Sequence, residues 1–356
     1  MNTQNSHATD NNRRLRVAQV IAGAEQGGAE NFYVRLVRGL HQSGRIMQKA
    51  FLRNHRHRVD ALHAADIQTA GYRFGGPLRF LDRRRYLVGL AEFDPDIVMT
   101  WMNRASGVTP AGPYRLVCRL GHYYNLKYYR HADYWVGISR GICDHLVRGG
   151  MPAERVFHIP NFADETNVEP VPRSSFNTSP DAPLLLAAGR LHVNKGFDTL
   201  LRALVDIPEA TLWLAGAGPE ETALKKLAAD LGLRKRVRFL GWRNDVTALM
   251  QSADLFVCPS RHEGLGSIVM ESWVHGCPIV ATASQGPGEL ICDGETGLLT
   301  PIDQPAPLGA AIRNLLGHPQ LRTALSEKAR TLYWERYSRQ VIVKSYEDLY
   351  QKIADN

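Results

Sequence analysis

The sequence predicts an α/β protein built as two doubly wound parallel-sheet domains, and three observations carry that prediction. Short Val/Ile/Leu-rich runs alternate with stretches of helical periodicity along the chain, the pattern of strands buried on both faces and covered by helices. Near the middle, residues 164–183 (DETNVEPVPRSSFNTSPDAP) interrupt the pattern with Pro, Ser, Thr and Asn. At 356 residues the chain exceeds one ordinary hydrophobic core, so two domains of ~150 to 200 residues are expected.

In chain order, the polar start MNTQNSHATDNNRR has no apolar signal core, and residues 1–13 read as a disordered tail. LRVAQVIAG, residues 15–23, reads as a buried strand, followed by the loop AEQGG and an amphipathic helix over residues 29–42. DIVMTWM (96–102), YRLVCRL (114–120) and YWVGIS (134–139) read as further strands of a first domain, residues 14–165. After a linker at 166–182, a second domain, 183–338, repeats the scheme. Its strands are PLLLAAGRL (183–191), ATLWLAGAG (210–218), RVRFLGW (236–242), LFVCPS (255–260) and CPIVATA (277–283). Ligands of open α/β sheets bind beyond the carboxyl ends of strands, so the loops that follow these strands are expected to converge on a cleft between the domains.

Composition excludes several classes. Hydrophobic residues make up 44% and charged residues 22%, as in a soluble globular protein. No uncharged run approaches the ~20 apolar residues of a membrane helix. Five cysteines, at 118, 143, 258, 277 and 292, form no CxxC pair, which favours reduced thiols in a cytoplasmic protein. The thirteen histidines show no HExxH-type spacing, so no metal held by the protein alone is expected. Asp94-Pro95-Asp96 has the outline of a metal-binding DxD, but Asp96 opens a strand and the proline fixes the approach to it, which favours a structural role.

The formal charge of +8 is uneven. Residues 1–170 hold 23 Lys and Arg against 15 Asp and Glu, and residues 171–356 hold 20 of each. Arg79, Arg83, Arg84 and Arg85 are the densest cluster. Such an excess attracts an anionic membrane surface, a phosphorylated glycolipid or nucleic acid, and it also fits a solvated basic face. No zinc finger or RNP-type aromatic motif accompanies it, so nucleic acid is not expected as a partner.

The second half carries the candidate chemistry. In RHEGLGSIVMESWVHGCPIVAT, residues 261–282, Gly264, Leu265 and Gly266 precede an amphipathic segment over 267–275. Their amides, with that of Ser267, then lie at a helix N-terminus, where partial positive charge favours oxygen-rich ligands. Glu263 sits just before that helix and Glu271 inside it, so both carboxylates can face one ligand. Carboxylates accept hydrogen bonds from pairs of hydroxyls, which suits Glu263 to a sugar ring and Glu271 to a ribose. Taken alone, the pair also fits a helix-start acid and a solvated helical acid. RLHVNKGFDTLL follows the strand PLLLAAG and brings Arg190 and Lys195 to one loop, where a guanidinium fork and an ammonium suit a diphosphate. AGAGPEE adds Gly216 and Gly218 in a strand-to-helix turn, a pattern that also serves tight packing.

Together, Glu263 and Glu271 with seven residues between them, Arg190 and Lys195 in GRLHVNKGFD, LAGAGPE, FLGWRNDV and GPGELICDGETGLLTP resemble the retaining nucleotide-sugar glycosyltransferases of family 4, which have the GT-B fold. The resemblance runs from VIAGAEQGGAE to the terminal helix. It implies that Glu263 bonds a donor-sugar hydroxyl with help from the amides of Gly264, Leu265, Gly266 and Ser267, that Glu271 holds the ribose, and that Arg190 and Lys195 neutralise the diphosphate. It further implies that the FLGWRNDV loop, with Trp242 and Arg243, cups the base, with Gly216 nearby. In the first half, Gly27 and Gly28 match the loop that approaches the donor phosphate and the acceptor, while Glu30 is expected to cap the helix start.

His122, in RLGHYYNLKYY, stands where the family often has a histidine near the reacting sugar, although the commoner His-Asp form of that turn is absent. Tyr123, Tyr124, Tyr128 and Tyr129 suit either stacking on acceptor sugars or packing. The resemblance also implies that the last helix, within residues 339–356, crosses back to complete the first domain; its stripe is Val341, Ile342, Tyr346, Leu349, Tyr350 and Ile353. QVIAGAEQGGAENFYVRL and RLGHYYNLKYYRHADYW are similar to lipopolysaccharide core glycosyltransferases, often mannosyltransferases using GDP-mannose. The implied donor is GDP-mannose or a UDP-hexose, the acceptor a lipid-linked saccharide, and the working place the inner face of the cytoplasmic membrane. No cofactor is implied. A sugar-nucleotide epimerase and a non-catalytic nucleotide-sugar binder are the alternatives; a dinucleotide dehydrogenase is disfavoured because GAEQGG lacks GxGxxG spacing.

Overall fold

The computed structural model describes residues 13–25, 27–76 and 79–356, so the tail expected over residues 1–13 lies outside them apart from Arg13. Contacts divide the chain into two units. The first runs to Gly137 and adds Cys143–Ile159 and Val343–Asn356; the second comprises Ile138–Ile142 and Pro160–Ile342.

In the first unit the strands are β1 (Leu15–Ile21), β2 (Ile46–Arg53), β3 (Gln68–Tyr72), β4 (Ile97–Trp101), β5 (Arg115–Leu120), β6 (Tyr134–Gly137) and β7 (Val156–His158). They form one parallel sheet in the order β3-β2-β1-β4-β5-β6-β7. The second unit holds β8 (Leu184–Ala188), β9 (Thr211–Ala215), β10 (Val237–Gly241), β11 (Leu255–Cys258), β12 (Ile279–Thr282) and β13 (Leu298–Thr300). Its sheet is also parallel, in the order β10-β9-β8-β11-β12-β13. Helices cover both, and every residue of β4 and β9 is inaccessible or nearly so, whereas the edge strands β10 and β13 are mostly half-buried. These are the doubly wound sheets that the sequence predicts.

In each sheet the order reverses at one point, between β1 and β4 in the first and between β8 and β11 in the second. The connections leaving these neighbouring strands run to opposite sides, which opens a crevice at their carboxyl ends. The motif loops after β1, β8 and β11 all start from those ends.

Four strands escaped the sequence reading: β2, β3, β7 and β13. The last two have three residues each, β3, β7 and β13 are sheet edges, and the apolar residues of β2 are interrupted by Gln48 and Lys49; none offers a long continuous apolar run.

The segment expected as a linker, residues 166–182, packs as part of the second unit, and the units divide earlier, after Ile159. Arg173 is the reason. Its guanidinium donates to the carbonyls of Ser252, Pro180 and Ala182 and pairs with Asp254 at 3.0 Å. Trp213 Nε1 also donates to Thr178 Oγ1 at 2.8 Å, so the segment's polar groups are spent on the second sheet.

The helix Arg339–Ala354 joins the first unit from Val343 onward. Its buried Tyr350 Oη accepts from Gln19 Nε2 at 3.1 Å, and Tyr346 Oη accepts from Arg119 Nε at 2.9 Å. Burial pushes both phenols up from their ordinary range, so both stay neutral hydrogen-bonding groups. No helix among the described residues is long and apolar enough to cross a membrane.

Candidate active site

At the reversal point of the second sheet, the loops after β8 and β11 are bound to each other. Gly196 takes a left-handed backbone (φ 61°), and a Cβ there would meet the Pro259 carbonyl oxygen at 2.1 Å, so only glycine lets the loops approach this closely. The amide of Arg261 donates to the Asn194 carbonyl at 2.8 Å. Its guanidinium forks onto Asp198 at 2.9 and 2.8 Å, pairs with Asp303 at 2.6 Å and donates to the Val193 carbonyl at 2.6 Å. Burial alone would raise the Asp198 carboxyl; the Arg261 hydrogen bonds outweigh it and hold the group below its ordinary value.

This stapling brings Lys195 and Glu263 together. The Lys195 ammonium donates to Glu263 Oε2, with only 24% and 18% of the two side chains exposed. Burial alone would lower Lys195; the Glu263 carboxylate and the neighbouring Cys258 outweigh that and raise it. Ser260 Oγ lies 3.4 Å from the same Oε2. Glu263 Oε1 accepts nothing from the described residues, and the ammonium has N–H groups left over. The pair therefore offers an open carboxylate oxygen and spare ammonium donors side by side.

The helix Ser267–Val274 begins at Gly266, whose backbone is left-handed. No side chain caps it, and the amides of Gly264, Leu265, Gly266 and Ser267 donate to no acceptor among the described residues. From below, the Gly286 amide donates to the Glu263 carbonyl at 2.8 Å, and Asn161 Nδ2 donates to Ser267 Oγ at 3.1 Å. Glu271 lies one turn after Ser267 on the same helix face, half-buried. Uncommitted amides at a helix start beside a carboxylate and an ammonium suit a ligand carrying both hydroxyls and negative charge.

The remaining second-unit residues sit on adjoining loops. Arg190, just after β8, is exposed, and its guanidinium makes no ion pair among the described residues. Gly216, directly after β9, has φ 151°, and a Cβ there would meet the Gly189 carbonyl oxygen at 1.8 Å; close packing of the two chain segments accounts for this glycine without a ligand. Trp242 is 53% exposed, its Nε1 donating to Asn244 Oδ1 at 3.0 Å. Arg243 forks onto Asp245 at 2.8 and 2.5 Å and lies over the Phe176 ring, so its guanidinium is already engaged within its own loop.

In the first unit, Gly27 precedes the helix Gly28–Ser43. Glu30 does not cap that helix, contrary to the expectation. Its carboxylate turns back and accepts the Ala24 amide at 2.8 Å, so it fastens the loop instead. Arg58, 1% exposed, donates to the carbonyls of Ala24 at 2.6 Å and Glu25 at 3.3 Å from the other side. Burial lowers its pKa, opposed by Glu30.

His122, after β5, is exposed, its Nδ1 accepting the Tyr123 amide at 2.8 Å. Of the tyrosines beside it, Tyr129 is fully buried with Tyr124 stacked on it, whereas Tyr128 is exposed. Asp96 accepts the Arg16 amide at 2.8 Å and also pairs with Arg13, tying the start of β4 to β1. Among the described residues no group of three or more His, Cys, Asp or Glu side chains could hold a metal ion.

Sequence reasoning missed the residues that brace the site: Arg261, Asp198, Asp303, Ser260, Asn161 and Gly286. Arg261 and Asp198 stood inside quoted motifs, but their pairing joins positions 63 residues apart. Met102 was missed as well; its left-handed backbone (φ 64°), directly after β4, has no sequence signature.

Comparison with known proteins places this geometry. The profile of the glycosyl transferases group 1 family matches residues 171–332, the span holding every second-unit residue above except Asn161. Lipopolysaccharide core biosynthesis glycosyltransferase LpsE of Rhizobium meliloti (strain 1021) is 36% identical over 326 residues, 90% of this chain and 95% of that protein. LpsD of the same organism, which carries the same description, is 35% identical over 95% of this chain and 98% of its own. Among solved structures, Anabaena HepE in complex with UDP and glucose superposes with a TM-score of 0.82 at 21% identity, covering 95% of this chain and all of that one, a likeness of fold. With two parallel doubly wound sheets and near full-length kinship to these proteins, the chain belongs to the group 1 glycosyltransferases and is an enzyme of the GT-B fold.

Proposed function

We propose that the enzyme moves a hexose from a nucleotide-sugar onto a lipid-linked saccharide of the lipopolysaccharide core, with retention at the anomeric carbon and without a metal ion. The observation that carries this reading is the Lys195–Glu263 pair beside the open amides of Gly264 to Ser267. Glu263 Oε1 and those amides take the sugar hydroxyls, and Glu271 takes the ribose. The spare donors of Lys195 and the unpaired Arg190 guanidinium take the diphosphate. Lys195 therefore serves both parts of the donor, binding Glu263 through one N–H and phosphate through the others.

In a front-side displacement the bond from the anomeric carbon to the diphosphate oxygen breaks and a bond to the acceptor oxygen forms on the same face. The departing oxygen takes the acceptor's proton, so no enzyme nucleophile is required. Stabilising the leaving charge in a site screened from water contributes several kcal/mol to the transition state, about 2.7 to 4 kcal/mol per well-placed donor. Two cationic side chains fill the place a divalent ion holds in other designs, so activity is expected to survive EDTA. The resemblance assigns Gly27, Gly28 and His122 to the reacting groups, and Trp242 with the backbone around Arg243 to the base.

GDP-mannose is the donor we favour, from the likeness of the first half to core mannosyltransferases. A UDP-hexose is the second reading, favoured by the UDP and glucose that HepE carries on the same fold. Calorimetric titration of GDP- and UDP-sugars, followed by assay on truncated core glycolipids, tests the reading. A donor-soaked crystal with phosphorus far from Arg190 and Lys195, or with both glutamates turned away from the sugar, would refute it.

A further inference from the structure

The helix Arg79–Phe93 of the first unit is apolar on two sides. Its inward row is Asp82, Tyr86, Leu90 and Phe93, all buried, with the Asp82 carboxylate accepting the amides of Arg73 at 3.0 Å and Phe74 at 2.7 Å. Its outward row is Phe80, Leu87, Val88 and Ala91, flanked by Leu81. Phe80 is 66% exposed, Val88 50% and Leu81 45%. Single exposed apolar residues are ordinary, but a contiguous row is not; Phe80, Leu87, Val88 and Ala91 line one shallow apolar trough together with Arg83 and Arg84.

Arg79, Arg83, Arg84 and Arg85 stand exposed on the same helix, and none forms an ion pair among the described residues. Asp82 is turned inward, which leaves Glu92 as the helix's one outward acid. An exposed apolar row edged by unneutralised arginines is the pattern of a helix lying in a membrane interface. Two other occupants use only part of it. A nucleic acid would engage the arginines and leave Phe80, Leu81 and Val88 in water, while a second copy would set one arginine cluster against another.

We propose that this face docks the enzyme on an anionic phospholipid bilayer. The apolar row enters the boundary between headgroups and acyl chains, and the arginines bend back to the phosphates along their apolar stems. The proposal deepens the reading of a lipid-linked acceptor, because docking would hold the first unit at the surface where such an acceptor is anchored.

The test is co-sedimentation of the full chain with vesicles of phosphatidylcholine alone and of phosphatidylcholine mixed with phosphatidylglycerol, with thermal melting and nucleotide-sugar affinity measured in parallel. Binding is expected on the mixed vesicles and to weaken with salt. The double variant Arg84→Gln, Arg85→Gln should bind about 25-fold more weakly, about fivefold per arginine. Phe80→Ser with Val88→Ser should weaken binding about tenfold at unchanged salt sensitivity. All variants should melt and bind nucleotide-sugar like the parent, since the altered side chains are exposed and lie outside the donor site.

Equal binding to neutral and anionic vesicles, or variants that bind vesicles like the parent, would overturn the proposal. So would tighter binding to duplex DNA than to vesicles, or a dimer that Phe80→Ser disperses. A parent chain that binds nucleotide-sugar but no vesicles would defeat the docking face alone; one that binds vesicles but no nucleotide-sugar would defeat the functional reading alone.

Discussion

The reversal points of the two sheets use charge in opposite ways. In the second unit the charged groups stand at the mouth: Lys195 and Glu263 meet across two loops, and Arg261, Asp198 and Asp303 lock those loops together. In the first unit they lie beneath a glycine-bearing backbone. Glu30 and Arg58 grip the amide and carbonyl of Ala24 from two sides and leave main-chain groups facing outward. One unit presents a paired carboxylate and ammonium; the other presents a backbone whose shape buried charges hold.

The comparison can be broken at several points. Truncation before Arg339 has the largest expected effect, because the first unit relies on a segment from the far end of the chain and the second does not. Val343, Tyr346, Leu349, Tyr350 and Ile353 are each at most 7% exposed, and burying a side chain of that kind contributes about 1.5 to 3 kcal/mol. Gln19 and Arg119 would also lose their phenol partners. The truncated chain should lose the thermal transition of its first unit; one that melts like the full chain would remove the dependence.

Glu263→Gln comes next. It keeps the shape and removes the charge that faces Lys195, and turnover should fall about 100- to 1000-fold with little change in melting temperature. Combining it with Lys195→Met should cost far less than the product of the single losses, since the groups act in contact. Independent effects would mean that the two serve separate ligand groups.

Arg58→Met tests the other design. Losing the charged hydrogen bonds to the carbonyls of Ala24 and Glu25 should cost about 1.5 to 3 kcal/mol of stability in urea unfolding, and turnover should fall while donor affinity is kept. A reduced donor affinity at full stability would mean that Arg58 binds ligand itself. His122→Ala should lower turnover at least about tenfold, and about 100-fold or more if the imidazole moves a proton; an unchanged rate would remove His122 from the site.

The smallest effect concerns pH. Asp198 is held below its ordinary 3.8, so its pairing contributes fully above pH 3.8 and is lost as pH falls through the lower folded value. Lys195 is raised above 10.5, so its pairing contributes fully below pH 10.5 and is lost as pH rises through the higher folded value. The contribution of these two groups to stability should therefore be level between about pH 5 and pH 9. A transition in that window that vanishes in Asp198→Asn would show that the staple is weaker than its geometry implies.

What the sequence by itself determined is local. Apolar runs marked β1, β4, β5, β6 and the five strands before β13, because a strand buried on both faces, as most of these are, needs no partner to look buried. The placement of Glu263, Glu271, Arg190 and Lys195 was legible because each lies within a few residues of a strand end or helix start. Tertiary structure decided what depends on positions distant in the chain: that Lys195 bonds Glu263, that Arg173 draws the expected linker onto the second sheet, and that Glu30 turns back to its loop rather than capping its helix. A spacing pattern records which residues share a face, but the partner of a charge is set by whichever group burial brings within reach. For Arg261 that group is an aspartate 63 residues away.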